Sequence, residues 1–322
     1  MPGKGKSSLT YKVRISHPRA NDTFDARMTP DWALLRGDDL VPSARLSKDD
    51  KVELVARLQF ELPKGWNGIE TGWPKIGENK FRIDNPSRQF DRPTGWILAG
   101  KIGSRRAQLG DTDVTVAAPV GEGMRRMDIL TLLTFVWPEA QAVFPRDPAK
   151  LLIVGANDPM WRGGLSAPNS IFFHADRPLV SENGTSSLVH ELVHVFSRIR
   201  DTDKSDWISE GLAEYYAIEL VRRAGGMSED RYQAIRKKLM GWSKKVDSLR
   251  TDDSTGPVTA RAVLLLQELD REIRKNTDNQ RSLDDVTRGL MRLDKASTKD
   301  FIEISENVMG RGSEVLDSKL LR

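Results

Sequence analysis

Cysteine is absent from all 322 residues. That excludes disulfides, a thiolate metal site and a cysteine nucleophile, and it fits any compartment. No apolar run is long enough to span a bilayer. Histidine is scarce, with four in the chain, and so is net charge, +4 with both signs interspersed. Without a concentrated basic stripe, nucleic-acid binding is not expected. Residues 1–8 are basic but carry no apolar segment, so they read as a flexible head and not as a signal peptide. What is present is an ordinary soluble composition, 38% hydrophobic and 30% charged, at a length that predicts about two domains.

Two of the four histidines stand in Ser187-Leu-Val-His-Glu-Leu-Val-His194. His190 and His194 are four apart, so on a helix they share a face, one turn above the other. Both imidazoles then reach a single cation, and Glu191 beside them can meet a metal-bound water. H-E-x-x-H on a helix is the spacing of zinc metallopeptidases, two ligands with a general base. Leu188, Leu192, Val195 and Ile199 supply an apolar stripe on another face, and Thr185, Ser186 or Ser187 is the expected cap after an Asn183-Gly184 turn.

A catalytic zinc needs a third protein ligand and leaves a fourth position for water. Glu210 is the candidate, near the start of a helical pattern over 207–224 entered through Ser205-Asp206 and stopped by Gly225-Gly226. Glu214 lies one turn further along the same face. As a carboxylate that accepts a histidine's second ring N–H, it would fix that ligand's tautomer.

Residues 9–118 read as an antiparallel β-rich domain. Leu9, Tyr11, Val13 and Ile15 alternate with polar residues, as do Val52, Leu54, Ala56, Leu58, Phe60 and Leu62. Shorter candidates are 24–28, 81–84, 96–102 and 114–116. Trp66, Trp73 and Trp96 are read as core in preference to a binding surface. From 119 the pattern changes to a helix over 124–143, broken near Pro138, then short strands at 151–154 and 170–173. His174 is expected as a partly exposed strand histidine without a catalytic task, and His17 is given no role. After Gly226 the chain reads as helical to its end. Ser282 and Asp285 form a capping box, Thr298 caps the last helix, and Asp270 with Arg274 is a solvated i,i+4 pair.

His190-Glu-Leu-Val-His194 followed by Trp207-Ile-Ser-Glu-Gly-Leu-Ala-Glu-Tyr-Tyr216 resembles the gluzincin, or thermolysin-like, metallopeptidases, most closely their glycyl-aminopeptidase branch. Gly163-Gly164-Leu165 with Asn169-Ser170 resembles that group's glycine-led substrate-edge strand, and 269–274 and 282–286 resemble its C-terminal helices. The resemblance implies an α+β chain: a β-rich domain over 9–118, a thermolysin-like catalytic domain with the zinc helix over 119–226, and a helical C-terminal domain over 227–322. It implies Zn2+ as cofactor and a peptide or protein substrate, and it favours a periplasmic or secreted mature form over a cytoplasmic one. Oligomeric state is left open.

Two positions depart from that pattern. Ser166 stands where the aminopeptidases carry the glutamate that holds the substrate's α-amine, so exopeptidase and endopeptidase action both stay open. Thr259 stands where they carry an oxyanion-stabilising tyrosine. Removing one oxyanion donor costs roughly two to three orders of magnitude in turnover. Tyr215, Tyr216 and Arg261 are the candidates to replace it. The sequence expectation is therefore a zinc peptidase, with a catalytically weak zinc-containing peptide-binding module, or a hydrolase of another amide or ester, as the alternatives.

Overall fold

The structure is a computed structural model that describes residues 8–20, 22–42, 55–83, 92–182 and 184–322. In chain order its first strands are β1 (His17–Pro18), β2 (Phe24–Met28), β3 (Trp32–Arg36), β4 (Ala56–Gln59), β5 (Gly68–Thr71), β6 (Lys75–Gly77), β7 (Lys80–Ile83) and β8 (Trp96–Gly100). Then come β9 (Ile102–Leu109), β10 (Thr112–Pro119), β11 (Lys150–Val154), β12 (Gly164–Ala167) and β13 (Ser170–Phe173). The helices are α1 (Arg126–Val143), α2 (Ser187–Ser197), α3 (Trp207–Arg223), α4 (Glu229–Trp242), α5 (Pro257–Asn276), α6 (Leu283–Leu290) and α7 (Thr298–Met309).

The strands make three sheets, ordered β1-β2-β3-β8-β5, β12-β13-β11-β10-β9 and β4-β7-β6. The first and third are antiparallel throughout. The second is mixed, with β11 parallel to both β10 and β13.

Period-2 side-chain alternation stacks these sheets as layers. Trp32, Leu34, Trp96 and Leu98 point from the first sheet onto Ala117, Leu152, Val154 and Phe172 of the second. Their neighbours Ala33, Leu35, Ile97 and Ala99 point the other way, onto Phe81 and Ile83 of the third. The far face of the second sheet, with Val114, Val116, Leu151, Ile153, Ile171 and Phe173, is covered by helices in one continuous core that runs on to Leu321. The site lies on this helical side.

Several expectations are corrected. Residues 9–15 form no strand, and of the second alternating run only Ala56–Gln59 pairs, while Val52 and Leu54 lie outside the described residues. So do Asn183, Asp84 and residues 1–7. The expected boundary at 118/119 falls at the end of β10, whose neighbour across the boundary is β11, so one sheet crosses it. Likewise, helices beyond residue 227 share one apolar core with α2 and α3.

α1 runs through Pro138 unbroken, held on both sides of the proline by buried Val136, Trp137, Ala140 and Val143. Ser297, not Thr298, caps α7, with Asp300 completing the box. Thr298 is buried and accepts from Trp207 Nε1 at 3.1 Å. Asp270 is more than a solvated partner of Arg274, because it also accepts from the Leu283 backbone N–H at 2.8 Å. Trp73 and Trp96 are core, at 2% and 1% exposed, and Trp66 is half-buried.

Candidate metal centre and cleft

Ser186 starts α2 by accepting from the Val189 N–H at 3.2 Å, and its own hydroxyl donates to the Leu179 carbonyl. Leu188, Leu192, Val193, Val195 and Phe196 bury one side of the helix, which leaves His190, Glu191 and His194 on the partly open side. Ile199 lies beyond the helix end, where Arg198 adopts a left-handed conformation. α3 then brings Glu210 and Glu214 across from the histidines. Gly211 permits close approach of the next wall, because a Cβ there would stand 2.8 Å from the Ala262 side chain of α5.

The ring nitrogens are sorted by these carboxylates. His190 Nε2 and His194 Nε2 are 3.2 Å apart. Glu210 reaches both, with Oε2 3.4 Å from His190 Nε2 and Oε1 3.3 Å from His194 Nε2. Glu214 Oε2 lies 3.1 Å from His190 Nδ1, which leaves Nε2 as the lone-pair nitrogen when Nδ1 donates. Burial disfavours charge on His190, but hydrogen bonds with Glu210 and Glu214 outweigh it and push the pKa up to about 10. Burial would raise Glu210, yet the two imidazoles hold it far below the ordinary carboxylate range.

Among the described residues, His190, His194 and Glu210 form the one group able to share a metal ion, each offering a ligand atom within 4.8 Å of the others. The donor set, two imidazoles and a carboxylate, is that of a catalytic zinc. The spacing fits as well. Bonds of about 2.0–2.1 Å in a tetrahedron place neighbouring donor atoms roughly 3.3–3.4 Å apart, against the 3.2–3.4 Å seen here.

Glu191 turns to the opposite wall, the edge strand β12. Its Oε2 accepts the Ser166 N–H at 2.7 Å, and Gly164 packs so closely that a Cβ there would meet Glu191 Cγ at 3.1 Å. β12 is an edge strand of the second sheet, and β13 lies interior to it. The cleft, about 320 Å³, is lined by Gly163, Gly164, His190, Glu191, Glu210 and Glu214, and across from them by Ser254, Gly256 and Thr259. Leu165 and Ser166 belong to the same edge strand.

Thr259 lines the cleft, and its hydroxyl donates to the Ser254 carbonyl at 2.6 Å. The other candidates for oxyanion support are corrected. Tyr215 and Tyr216 are buried at 2% and 0% exposure because they sit on the core side of α3, and Tyr216 donates to Asp284 Oδ1 at 3.0 Å. Burial raises both hydroxyls well above the ordinary tyrosine pKa. Arg261 is not among the residues lining the cleft.

His174 is fully buried, not partly exposed, with Nε2 3.4 Å from Asp158 Oδ1, and burial lowers its pKa. His17 lies in the first sheet with Nδ1 3.5 Å from Asp39. Sequence reasoning missed Trp161, Arg177 and Trp242 as cleft residues. They sit outside any motif and reach the cleft only through the tertiary fold.

No sequence-family model and no curated protein matches the chain. Solved structures do. An aminopeptidase N family protein from Idiomarina loihiensis superposes with a TM-score of 0.62 at 16% identity, over 91% of this chain and 56% of that one. An M1 zinc metallopeptidase from Deinococcus radiodurans gives 0.60 at 15%, over 95% and 72%. Leukotriene A4 hydrolase from Saccharomyces cerevisiae gives 0.56 at 18%, over 82% and 44%. This chain thus spans little more than half the length of the first of these proteins. At these identities the likeness concerns the fold alone, a mixed α+β arrangement shared with these structures. Among the described residues, no helix is long and apolar enough to cross a membrane.

Proposed function

We propose that this chain is a zinc-dependent peptidase of the gluzincin type, nearest the glycyl-aminopeptidase branch, with His190, His194 and Glu210 as ligands. The observation that carries the reading is the triangle of donor atoms, whose 3.2–3.4 Å edges suit one tetrahedral ion. When bound, zinc supplies Lewis acidity toward a carbonyl and makes a water molecule nucleophilic near neutral pH.

The rest is done by the chain's own groups. Glu191 accepts the proton of the attacking water and returns it to the leaving amine, a base that becomes an acid. The Ser166 N–H holds that carboxylate at the edge strand. Glu214 accepts from His190 Nδ1–H and so keeps Nε2 free to bind the ion. β12 is an edge strand, where an extended peptide pairs through backbone groups other than the Ser166 N–H already bound to Glu191, and Gly164 keeps the space beside Glu191 clear.

Glu191→Gln keeps zinc and loses hydrolysis by about 10²–10⁴-fold, the range for a general base, whereas His194→Ala loses the metal. The measurement is cleavage of a mixed peptide library with and without chelator, read by mass spectrometry alongside zinc content. Parent-level activity in Glu191→Gln would remove Glu191 from the mechanism. One observation favours a slower, peptide-binding reading of the same site: no tyrosine lines the cleft among the described residues, and the Thr259 hydroxyl is engaged by Ser254. Retention of uncut peptides by the zinc-loaded parent would support that reading.

A further inference from the structure

Arg177 is the sole arginine or lysine among the described residues lining the cleft. Its guanidinium is held by two neutral acceptors: Nη1 donates to the Arg162 carbonyl at 2.8 Å and Nη2 to the Ser187 hydroxyl at 2.5 Å. Nε is buried without a partner. A guanidinium has five N–H donors, so two bonds to neutral oxygens leave both donors and charge to spare. Among the described residues it has no carboxylate partner, although arginines elsewhere in the chain, such as Arg223 and Arg274, are paired with Asp284 and Asp270. A cation held in place and left uncompensated in a cleft is a site for an anion.

Position indicates which anion. The Arg162 carbonyl leads directly into Gly163 and β12, and Ser187 is the first residue of α2. Arg177 therefore stands at the start of both walls of the cleft, and Glu191 lies four residues further along α2. Four residues of helix rise about 6 Å, close to two residues of extended peptide at about 3.4 Å each. A peptide laid antiparallel to β12 presents its carboxyl end to Arg177. The parallel orientation would bring a terminal amine against the cation, so charge selects the antiparallel one.

We propose that Arg177 anchors a peptide carboxylate about two residues to the C-terminal side of the bond facing Glu191. The substrate class is peptides with a free C-terminus there, or with an Asp or Glu side chain there. Arg177 thus determines specificity by binding charge in a cleft where Ser166 replaces an amine-holding carboxylate. The inference rests on the peptidase reading for the word substrate, but its test is binding, which needs no turnover.

The probes are acetyl-Ala-Phe-Ala-Ala with a free carboxylate, the same peptide as its amide, and the amide of acetyl-Ala-Phe-Ala-Glu. Each is titrated by calorimetry into zinc-loaded Glu191→Gln protein. Either acid is expected to bind about 30-fold more tightly than the neutral amide, the order of a charge-assisted hydrogen bond. Which acid shows the gain separates terminal from side-chain recognition. Arg177→Gln in the same background abolishes the preference, and Arg177→Lys keeps part of it, with thermal melts to check folding. Equal affinity of all three peptides, no binding at all, or an acid preference that survives in folded Arg177→Gln overturns the proposal. If the parent cleaves nothing while the acid preference holds, the peptidase reading falls and the Arg177 site stands.

Discussion

A single carboxylate illustrates how the loop between α2 and α3 is tuned. Burial pushes Asp201 up to about 6, even though Ser209 donates to it from the residue before Glu210. A folded pKa above the ordinary 3.8 means that the folded chain holds more protons than the unfolded one between about pH 4 and 6. Stability therefore falls as pH rises through that window, and the deficit persists above it. Asp201→Asn, which still accepts from Ser209, removes the deficit. We expect it to raise the melting temperature at pH 7.5 by about 1–2 °C, for a gain of about 1 kcal/mol in a chain of this size, and by less at pH 4.5. A melting temperature that drops equally at both pH values would show that the charge of Asp201 is used in the fold.

Helix α2 carries two histidines and the proposed base, so its first turn decides whether they stay aligned. Ser186 is fully buried and has two tasks, capping Val189 N–H and donating to the Leu179 carbonyl. Ser186→Ala loses both and is expected to cost about 1–2 kcal/mol. The melting temperature falls while zinc stoichiometry stays at one per chain; unchanged stability would contradict the capping role.

This level is also where the sequence was most and least readable. The pairing of His190 with His194 was legible because helical periodicity alone brings i and i+4 together, whereas Glu210 comes from the next helix, whose end Gly225-Gly226 marks. β3 and β5 were not legible. Trp32-Ala-Leu-Leu-Arg36 is covered on both faces, so it shows no polar alternation to mark it as a strand. Conversely, Leu9 to Ile15 alternates without pairing, since alternation describes a surface and says nothing of whether a neighbour strand is there. Tyr215 and Tyr216 escape the sequence for a related reason: they follow Glu214 by about 100° and 200° around α3, and the burial of both, with the bonds of Tyr216 to Asp284 and Thr287 of α6, shows which side faces the core.

At the scale of the molecule, three sheets and a helical layer stack so that the second sheet presents its edge strand to a helix-lined cleft. The C-terminal helices are structural partners of the site. α5 supplies Thr259 to the cleft wall, and α7 is tied to the start of α3 through Thr298, Trp207 and Ser205. Composition and charge could not show this, because the shared core joins residues more than a hundred positions apart.

The account depends on three side chains from two helices meeting on one ion that keeps a corner free. The most direct test is X-ray absorption at the zinc edge on protein loaded with one equivalent. The account predicts two imidazole nitrogens and light oxygen donors at about 2.0–2.1 Å, with an oxygen contribution lost in Glu210→Ala. A chain that fails to retain one equivalent, or a spectrum unaltered by Glu210→Ala, would contradict it.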